Sequence, residues 1–177
     1  MQTISQPLTN ASSLKTSVTV MKSGVTKAEI DHALKTWGNN LLAISKAKRA
    51  GSDFKKVAET AILNTYFYQN GPVLFKPTLA SKKTFRTTYE GALSYFIGGN
   101  TQYEEDRGFA LNPWESVEFE IAGMILGENH GIVMGNKHLK DNSGKITIAN
   151  FTMGFVKDEN DQLRINLHHS SLPYQTT

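Results

Sequence analysis

The hydrophobic pattern of the chain changes period once, near residue 114, and this change restricts the folds that the chain can adopt. Before that point, apolar residues recur at helical spacing, as in Ile30, Leu34, Trp37 and Leu41. After it, they alternate with polar residues along three segments: Val117, Phe119 and Ile121; Ile146 and Ile148; Leu163, Ile165 and Leu167. The pattern therefore predicts helices first and half-buried antiparallel strands afterwards.

Capping signals divide the first half of the chain into helices. Thr26 and Glu29 form a capping box that opens a helix running to the basic turn before Gly51. A second helix is predicted from Ser52 to just before residues 71–72, and a third is predicted after a capping box of Thr87 and Glu90. Residues 1–24 hold no acidic residue and no strong period, so we predict a flexible arm over 1–24 and one domain over 25–177.

Strands dominate the second half. Four long strands are predicted, one of them over residues 131–139, and a short strand is predicted at residues 73–75. Helices followed by a meander of strands indicate an α+β fold. A curved antiparallel sheet with the N-terminal helices packed in its concave face makes a cone, which is the architecture of the nuclear-transport-factor-2-like fold.

Composition excludes several classes of function. The 177 residues contain no cysteine, so disulfides, thiolate zinc sites and cysteine nucleophiles are impossible. No segment has the roughly 20 apolar residues of a membrane span, and residues 1–24 lack the apolar centre of a signal peptide. We therefore predict a cytoplasmic protein without a membrane partner. The net charge of +3 comes from basic residues without interleaved aromatics, so no nucleic-acid partner is predicted.

The five histidines are poorly spaced for a shared metal ion. His168 and His169 are adjacent on a predicted strand and therefore point to opposite faces of the sheet. The acidic run of Glu104, Glu105 and Asp106 has the composition of a solvated loop. We predict no metal site and no cofactor.

The last predicted strand carries an unusual set of polar residues. Strict alternation places Arg164, Asn166, His168 and Ser170 on one face and Leu163, Ile165, Leu167 and His169 on the other. Burying such a polar face without partners would be costly, so it meets either water or a polar pocket.

This strand ends in the segment HHSSLP at 168–173, and three earlier blocks accompany it: FKPT at 75–78, ALSYF at 92–96 and GFALNPW at 108–114. Together, in this order, the four blocks resemble the iota-class carbonic anhydrases over residues 54–174. The resemblance implies a homodimeric enzyme that interconverts carbon dioxide and bicarbonate, with members that work without a metal.

In those members a Thr, a Tyr and a Ser hydrogen-bond bicarbonate near a His on the final strand. Carried over block by block, the resemblance implies that Thr78, Tyr95 and Ser170 are catalytic and bind the substrate. It also implies that His168, two residues before Ser170, is a further substrate-binding residue.

Two other functions fit the same architecture. A proton-transfer isomerase or cyclase would need a larger cavity and a carboxylate in the pocket. A non-catalytic association or small-ligand-binding module would tolerate Ser170→Ala and Tyr95→Phe without any change in behaviour.

Overall fold

The structure is a computed structural model that describes residues 24–175. The predicted flexible arm over residues 1–24 lies outside this range except for Gly24. The described part of the chain has the predicted α+β organisation, in which three helices precede the four long strands of a curved sheet.

The helices are α1 (Lys27–Arg49), α2 (Phe54–Thr65) and α3 (Tyr89–Ile97). The capping box of α1 is confirmed, since Thr26 Oγ1 accepts from the Glu29 amide and the Glu29 carboxylate accepts from the Thr26 amide. The predicted bounds of the other two helices are wrong. Helix α2 begins at Phe54 instead of Ser52 and ends at Thr65, well before residues 71–72, and the cap of α3 is displaced by one residue. Asp53 caps α2, and Thr88 rather than Thr87 caps α3, because these side chains are the ones that reach the free amides of Lys56 and Gly91.

Five strands form one sheet: β1 (Leu74–Lys76), β2 (Trp114–Leu126), β3 (His130–Asp141), β4 (Ile146–Lys157) and β5 (Leu163–Ser171). Their order is β1-β5-β4-β3-β2. All neighbours are antiparallel except β1, which pairs with β5 in parallel. The last strand of the chain therefore lies inside the sheet, next to the short strand that precedes α3.

Irregular pairing bends the sheet. Register shifts interrupt the pairing of β2 with β3 after Trp114 and after Ile121. Gly135 faces the second of these, where a Cβ would lie 2.0 Å from the Glu120 carbonyl oxygen, so only glycine allows the strands to approach so closely. Bulges of this kind increase strand twist and curvature, which gives the sheet an inner and an outer face.

A third register shift changes the last strand. Phe155 pairs with Ile165 while Gly154 pairs with Leu167, so Asn166 is an extra residue on β5. The predicted strict alternation is therefore wrong. Ile165 faces the core together with His168 and Ser170, whereas Arg164 and Asn166 are only half-buried.

The helices cover the inner face of the sheet, and the core lies between the two layers. From α1 it receives Leu34, Trp37, Leu41 and Ile44, and from the sheet Phe151, Phe155 and Ile165. Within residues 24–175 no helix combines the length and hydropathy needed to cross a bilayer.

Candidate functional site

Two of the predicted site residues, Thr78 and Ser170, are in direct contact. Ser170 Oγ donates to the Asn150 carbonyl over 3.0 Å and lies 2.8 Å from Thr78 Oγ1. Because a carbonyl oxygen only accepts, the single Ser170 hydroxyl proton is committed to Asn150, and Thr78 must donate to Ser170. The lone pairs of Thr78 Oγ1 are therefore the part of this pair that is open to a ligand.

The sheet explains why these hydroxyls meet. In the parallel pairing of β1 with β5, Phe75 lies beside His168 and Lys76 beside His169. The chain then continues through buried Pro77 along the same direction, which brings Thr78 next to Ser170. Lys76 Nζ strengthens this junction by donating to the Ser170 carbonyl over 2.9 Å.

Tyr95 lies on α3 and is buried against aromatic rings. Its ring stacks on Phe109 with centroids 5.3 Å apart and meets the edge of Phe75 at 5.7 Å. Its hydroxyl is buried and makes no hydrogen bond to any described residue. Burial raises the pKa of Tyr95 well above its usual range. The Thr78 hydroxyl and the backbone of Leu79 and Thr78 lie near enough to offset part of this rise, but none of them meets the phenol oxygen at hydrogen-bond geometry. The phenol is therefore a neutral donor beside Thr78 with no acceptor of its own.

A cleft of about 210 Å³ includes Thr78 in its wall, whereas Tyr95 and Ser170 lie behind Thr78 and do not line it. Most of its lining is apolar and comes from Leu79, Phe109, Pro113, Trp114, Leu139, Ala149 and Leu172. The charged residues Asp141 and Lys145 also line it. An apolar cleft with a few polar groups suits a small apolar molecule. A larger cleft of about 380 Å³ lies beside α1. Two of its charged residues already have protein partners, since Arg164 pairs with Asp158 and Glu29 with Lys157, so its greater volume does not make it the better candidate site.

His168 is buried and both of its ring nitrogens are bonded to protein. Nδ1 lies 2.8 Å from the Tyr66 hydroxyl. The same hydroxyl accepts a hydrogen bond from Trp37 Nε1 over 3.0 Å. Nε2 lies 3.2 Å from Lys137 Nζ. Burial, with smaller contributions from Lys137 and His169, lowers the pKa of His168 well below its usual range. As predicted, His169 points to the opposite face and is exposed.

A second buried network connects the loop after β1 to α3. Arg86 is fully buried, and its Nη2 contacts the Asp106 carboxylate at 2.8 Å and the Glu105 carboxylate at 3.6 Å. Asp106 also accepts from Ser94 Oγ over 2.6 Å, one residue before Tyr95. Glu105 accepts from the Ser81, Lys82 and Lys83 amides, and these bonds, that of Lys82 first, lower the pKa of Glu105 to about 2. The solvated-loop interpretation of the acidic run is therefore wrong for Glu105 and Asp106.

Sequence reasoning missed Lys137 and Tyr66, and it left open whether Arg86 reaches the pocket or pairs with an acid, as it does here. The alternation of β3 contained a signal for the first of them, because Val133, Gly135, Lys137 and Leu139 share one face and three of these residues are apolar or small. Among residues 24–175, no three side chains of His, Asp or Glu converge in a group that could hold a metal ion.

Comparison with known proteins relates most of the chain to one family. Residues 28–172 match the family model described as metal-independent carbonic anhydrase. A metal-independent carbonic anhydrase from Nostoc sp. is 45% identical over 171 residues, which are 95% of this chain and 82% of that protein.

Solved structures agree with the sequence match. The crystal structure of an iota-carbonic anhydrase from a cyanobacterium, complexed with bicarbonate, superposes with a TM-score of 0.86 at 44% identity, covering 89% of this chain and 98% of that one. An NTF2-like protein from Pseudomonas putida has a TM-score of 0.51 at 10% identity, covering 84% and 87% of the two chains, and shares the fold alone.

Proposed function

The chain belongs to the family of metal-independent carbonic anhydrases, and from that premise we propose that Thr78, Tyr95 and Ser170 carry out its reaction, the reversible hydration of carbon dioxide to bicarbonate. The observation that carries this proposal is the unpartnered Tyr95 hydroxyl, buried beside the bonded pair of Thr78 and Ser170. A buried donor without an acceptor is costly, so its retention points to a ligand that accepts from it.

The energetic difficulty of the reaction is the formation of a nucleophile from water. A catalytic zinc ion lowers the pKa of bound water from about 15.7 to about 7, which corresponds to roughly 12 kcal/mol. Neutral hydroxyls do not supply this free energy. We therefore propose that free hydroxide never forms, and that the site holds a water against carbon dioxide and stabilises charge as it develops on the carbonate oxygens.

The hydrogen-bond directions assign a role to each hydroxyl. Ser170 orients Thr78, whose Oγ1 lone pairs accept an O–H group of the attacking water. Tyr95 stays protonated because burial raises its pKa, and it donates to the oxygen that becomes negative as the new C–O bond forms. The second proton of the water passes to solvent, so the reaction releases one bicarbonate and one proton. Bicarbonate fits the same pattern, with its O–H group on Thr78 and an anionic oxygen on Tyr95. His168 has no free nitrogen, so we propose that it positions β5 instead of contacting bicarbonate.

Replacing Thr78 tests this arrangement. Thr78→Val keeps the shape of the side chain but removes the acceptor, so kcat/KM measured by stopped-flow hydration should fall by about 100-fold. Thr78→Ser keeps the hydroxyl and serves as the matched control, with an expected loss of less than about tenfold. A Val variant as active as the Ser variant would exclude the Thr78 hydroxyl from the chemistry.

We further propose that the enzyme is a homodimer that associates through the outer face of β2, β3 and β4. This face exposes Ile125, Ile132, Met134, Ile146 and Ile148, an apolar group of the kind that marks protein interfaces. Sedimentation velocity should give a dimer for the wild type and a monomer for Met134→Lys. Phe85→Lys is the control, because Phe85 is equally apolar and more exposed but lies in a loop away from the sheet, so it should remain dimeric. A monomeric wild type, or a dimeric Met134→Lys, would refute this interface.

Two expectations from the sequence complete the proposal. We propose that residues 25–177 act as one domain and that the enzyme works in the cytoplasm. Fractionation of the cells that produce it would test the location.

A further inference from the structure

A lysine lies in the core beside the site. Lys137 is on the inner face of β3, where it pairs with Ala149, and it is 1% exposed. Its Nζ lies 3.2 Å from His168 Nε2 and 4.7 Å from the centre of the Trp37 ring. Among the described residues, no carboxylate lies within ion-pair distance of it. A lysine this deeply buried without a counterion needs an explanation.

The hydrogen-bond donors and acceptors linked to Lys137 indicate the protonation state of its amine. Trp37 Nε1 can only donate, so Tyr66 Oη is an acceptor and its own proton must go elsewhere. The remaining neighbour of that hydroxyl is His168 Nδ1, which then accepts it and carries no proton. A neutral imidazole without a proton on Nδ1 has one on Nε2, and this N–H points at Lys137 Nζ. Each hydrogen bond in this series, from Trp37 through Tyr66 and His168 to Lys137, then has one donor and one acceptor, provided that Lys137 Nζ presents a lone pair.

The charged alternative leaves a group unsatisfied. An ammonium at Lys137 would donate to His168 Nε2, which moves the imidazole proton to Nδ1 and forces that nitrogen to donate to Tyr66 Oη. Tyr66 would then receive two donors, and its own buried proton would have no acceptor among the described residues. The Trp37 ring would attract the cation, but a cation–π contact recovers only a small part of the cost of burying an unpaired ammonium.

We propose that Lys137 is a neutral amine that accepts a hydrogen bond from His168 Nε2–H and, by fixing this tautomer, acts as a positioning residue for Ser170. His168 and Ser170 lie two residues apart on the same face of β5, so anchoring His168 from both sides fixes the strand where Ser170 meets Thr78. Burial lowers the pKa of Lys137 to about 7, in the direction that this assignment requires. The inference rests on the role proposed for Ser170.

Protonation of Lys137 would remove the acceptor. The groups in contact with its Nζ are His168 from β5 and the Trp37 ring from α1, and Tyr66 is reached through His168. Of these, His168 is neutral because burial depresses its pKa, and burial raises the pKa of Tyr66 well above its usual range. Activity should therefore decline as the pH falls through about 7, since the amine is neutral above that value and charged below it.

Three substitutions test whether residue 137 must accept a hydrogen bond or must carry a positive charge. Lys137→Gln offers an amide oxygen to His168 and should keep the hydration rate within about threefold of the wild type, without the decline near pH 7. Lys137→Met is an unbranched apolar side chain, one heavy atom shorter, with no acceptor of this strength, and Lys137→Arg is a permanent donor. Each of these two should lose on the order of tenfold or more. The proposal would be overturned if Lys137→Arg kept the hydration rate while Lys137→Gln lost it, or if all three variants had equal rates.

A measurement on the unmodified enzyme is independent of how these variants fold and of the role of Ser170. Nitrogen-15 NMR of the wild type should show the Lys137 side chain with the signal of a free amine at pH 8, and His168 protonated at Nε2. An ammonium signal at Lys137 together with protonation of His168 at Nδ1 would refute the assignment, whatever the activity of the enzyme.

Discussion

Tyr95→Phe should lower kcat/KM for carbon dioxide hydration by about 100-fold or more, because it removes a preorganised donor at the position where charge develops. The same substitution should leave the free energy of unfolding unchanged or slightly increased. The Tyr95 hydroxyl has no partner in the described structure, so its removal breaks no hydrogen bond and relieves a buried unsatisfied group. Stopped-flow hydration and urea unfolding measure the two quantities.

A control variant separates this effect from the general loss of a phenol. Tyr174 is 89% exposed, and Tyr174→Phe should keep both the wild-type rate and the wild-type stability. A wild-type rate in Tyr95→Phe would remove Tyr95 from the chemistry. A large loss of stability in that variant would instead show that its hydroxyl has a structural partner.

Asp106→Asn should destabilise the fold by about 3 kcal/mol, because it leaves the buried Arg86 guanidinium without its nearest counterion. Glu105 remains, but its carboxylate lies 3.6 Å from Arg86 Nη2, and Arg86 Nε and Nη1 have no hydrogen-bond partner among the described residues. The hydration rate should fall as well, since Asp106 also holds Ser94 beside Tyr95.

The midpoint of urea unfolding, at an unchanged m-value, measures this loss. Glu104→Gln is the matched control, because Glu104 belongs to the same acidic run but is exposed, and it should change stability by less than about 0.5 kcal/mol. Equal stability of the two variants would show that the buried ion pair contributes nothing.

Hydrophobic period was sufficient to predict the order and type of the main elements. The alternation after residue 114 becomes β2 to β5, and the helical spacing of Leu34, Trp37 and Leu41 becomes the buried face of α1. These patterns are local, so they can be read from one sequence. The start of α2 was misplaced by two residues and the cap of α3 by one, because neighbouring side chains of similar chemistry compete to reach the same amides.

The site depended on pairings between distant parts of the chain, which periodicity does not encode. The contact between Thr78 and Ser170 requires the parallel pairing of β1 with β5, and no local pattern identifies that partner. The bulge at Asn166 turns Ile165 towards the core and breaks the predicted alternation. The four sequence blocks that resemble a known family assigned Thr78 and Ser170 to one site without any knowledge of the strand pairing.

Buried charges were the hardest features to predict. An acidic run is usually solvated, and only the fold reveals that Arg86 lies beneath Glu105 and Asp106. Lys137 follows the alternation of β3, but the cost of burying lysine argues against that position until its neighbours are known. In both cases the deciding information is the identity of the partner side chain.

We propose that buried hydroxyls hydrate carbon dioxide without a metal ion. The most direct test is stopped-flow hydration by enzyme stripped with a strong chelator, with metal content checked by elemental analysis. The stripped enzyme should keep its full rate, and added zinc or manganese should leave that rate unchanged. An activity that vanishes on stripping and returns with either metal would contradict it.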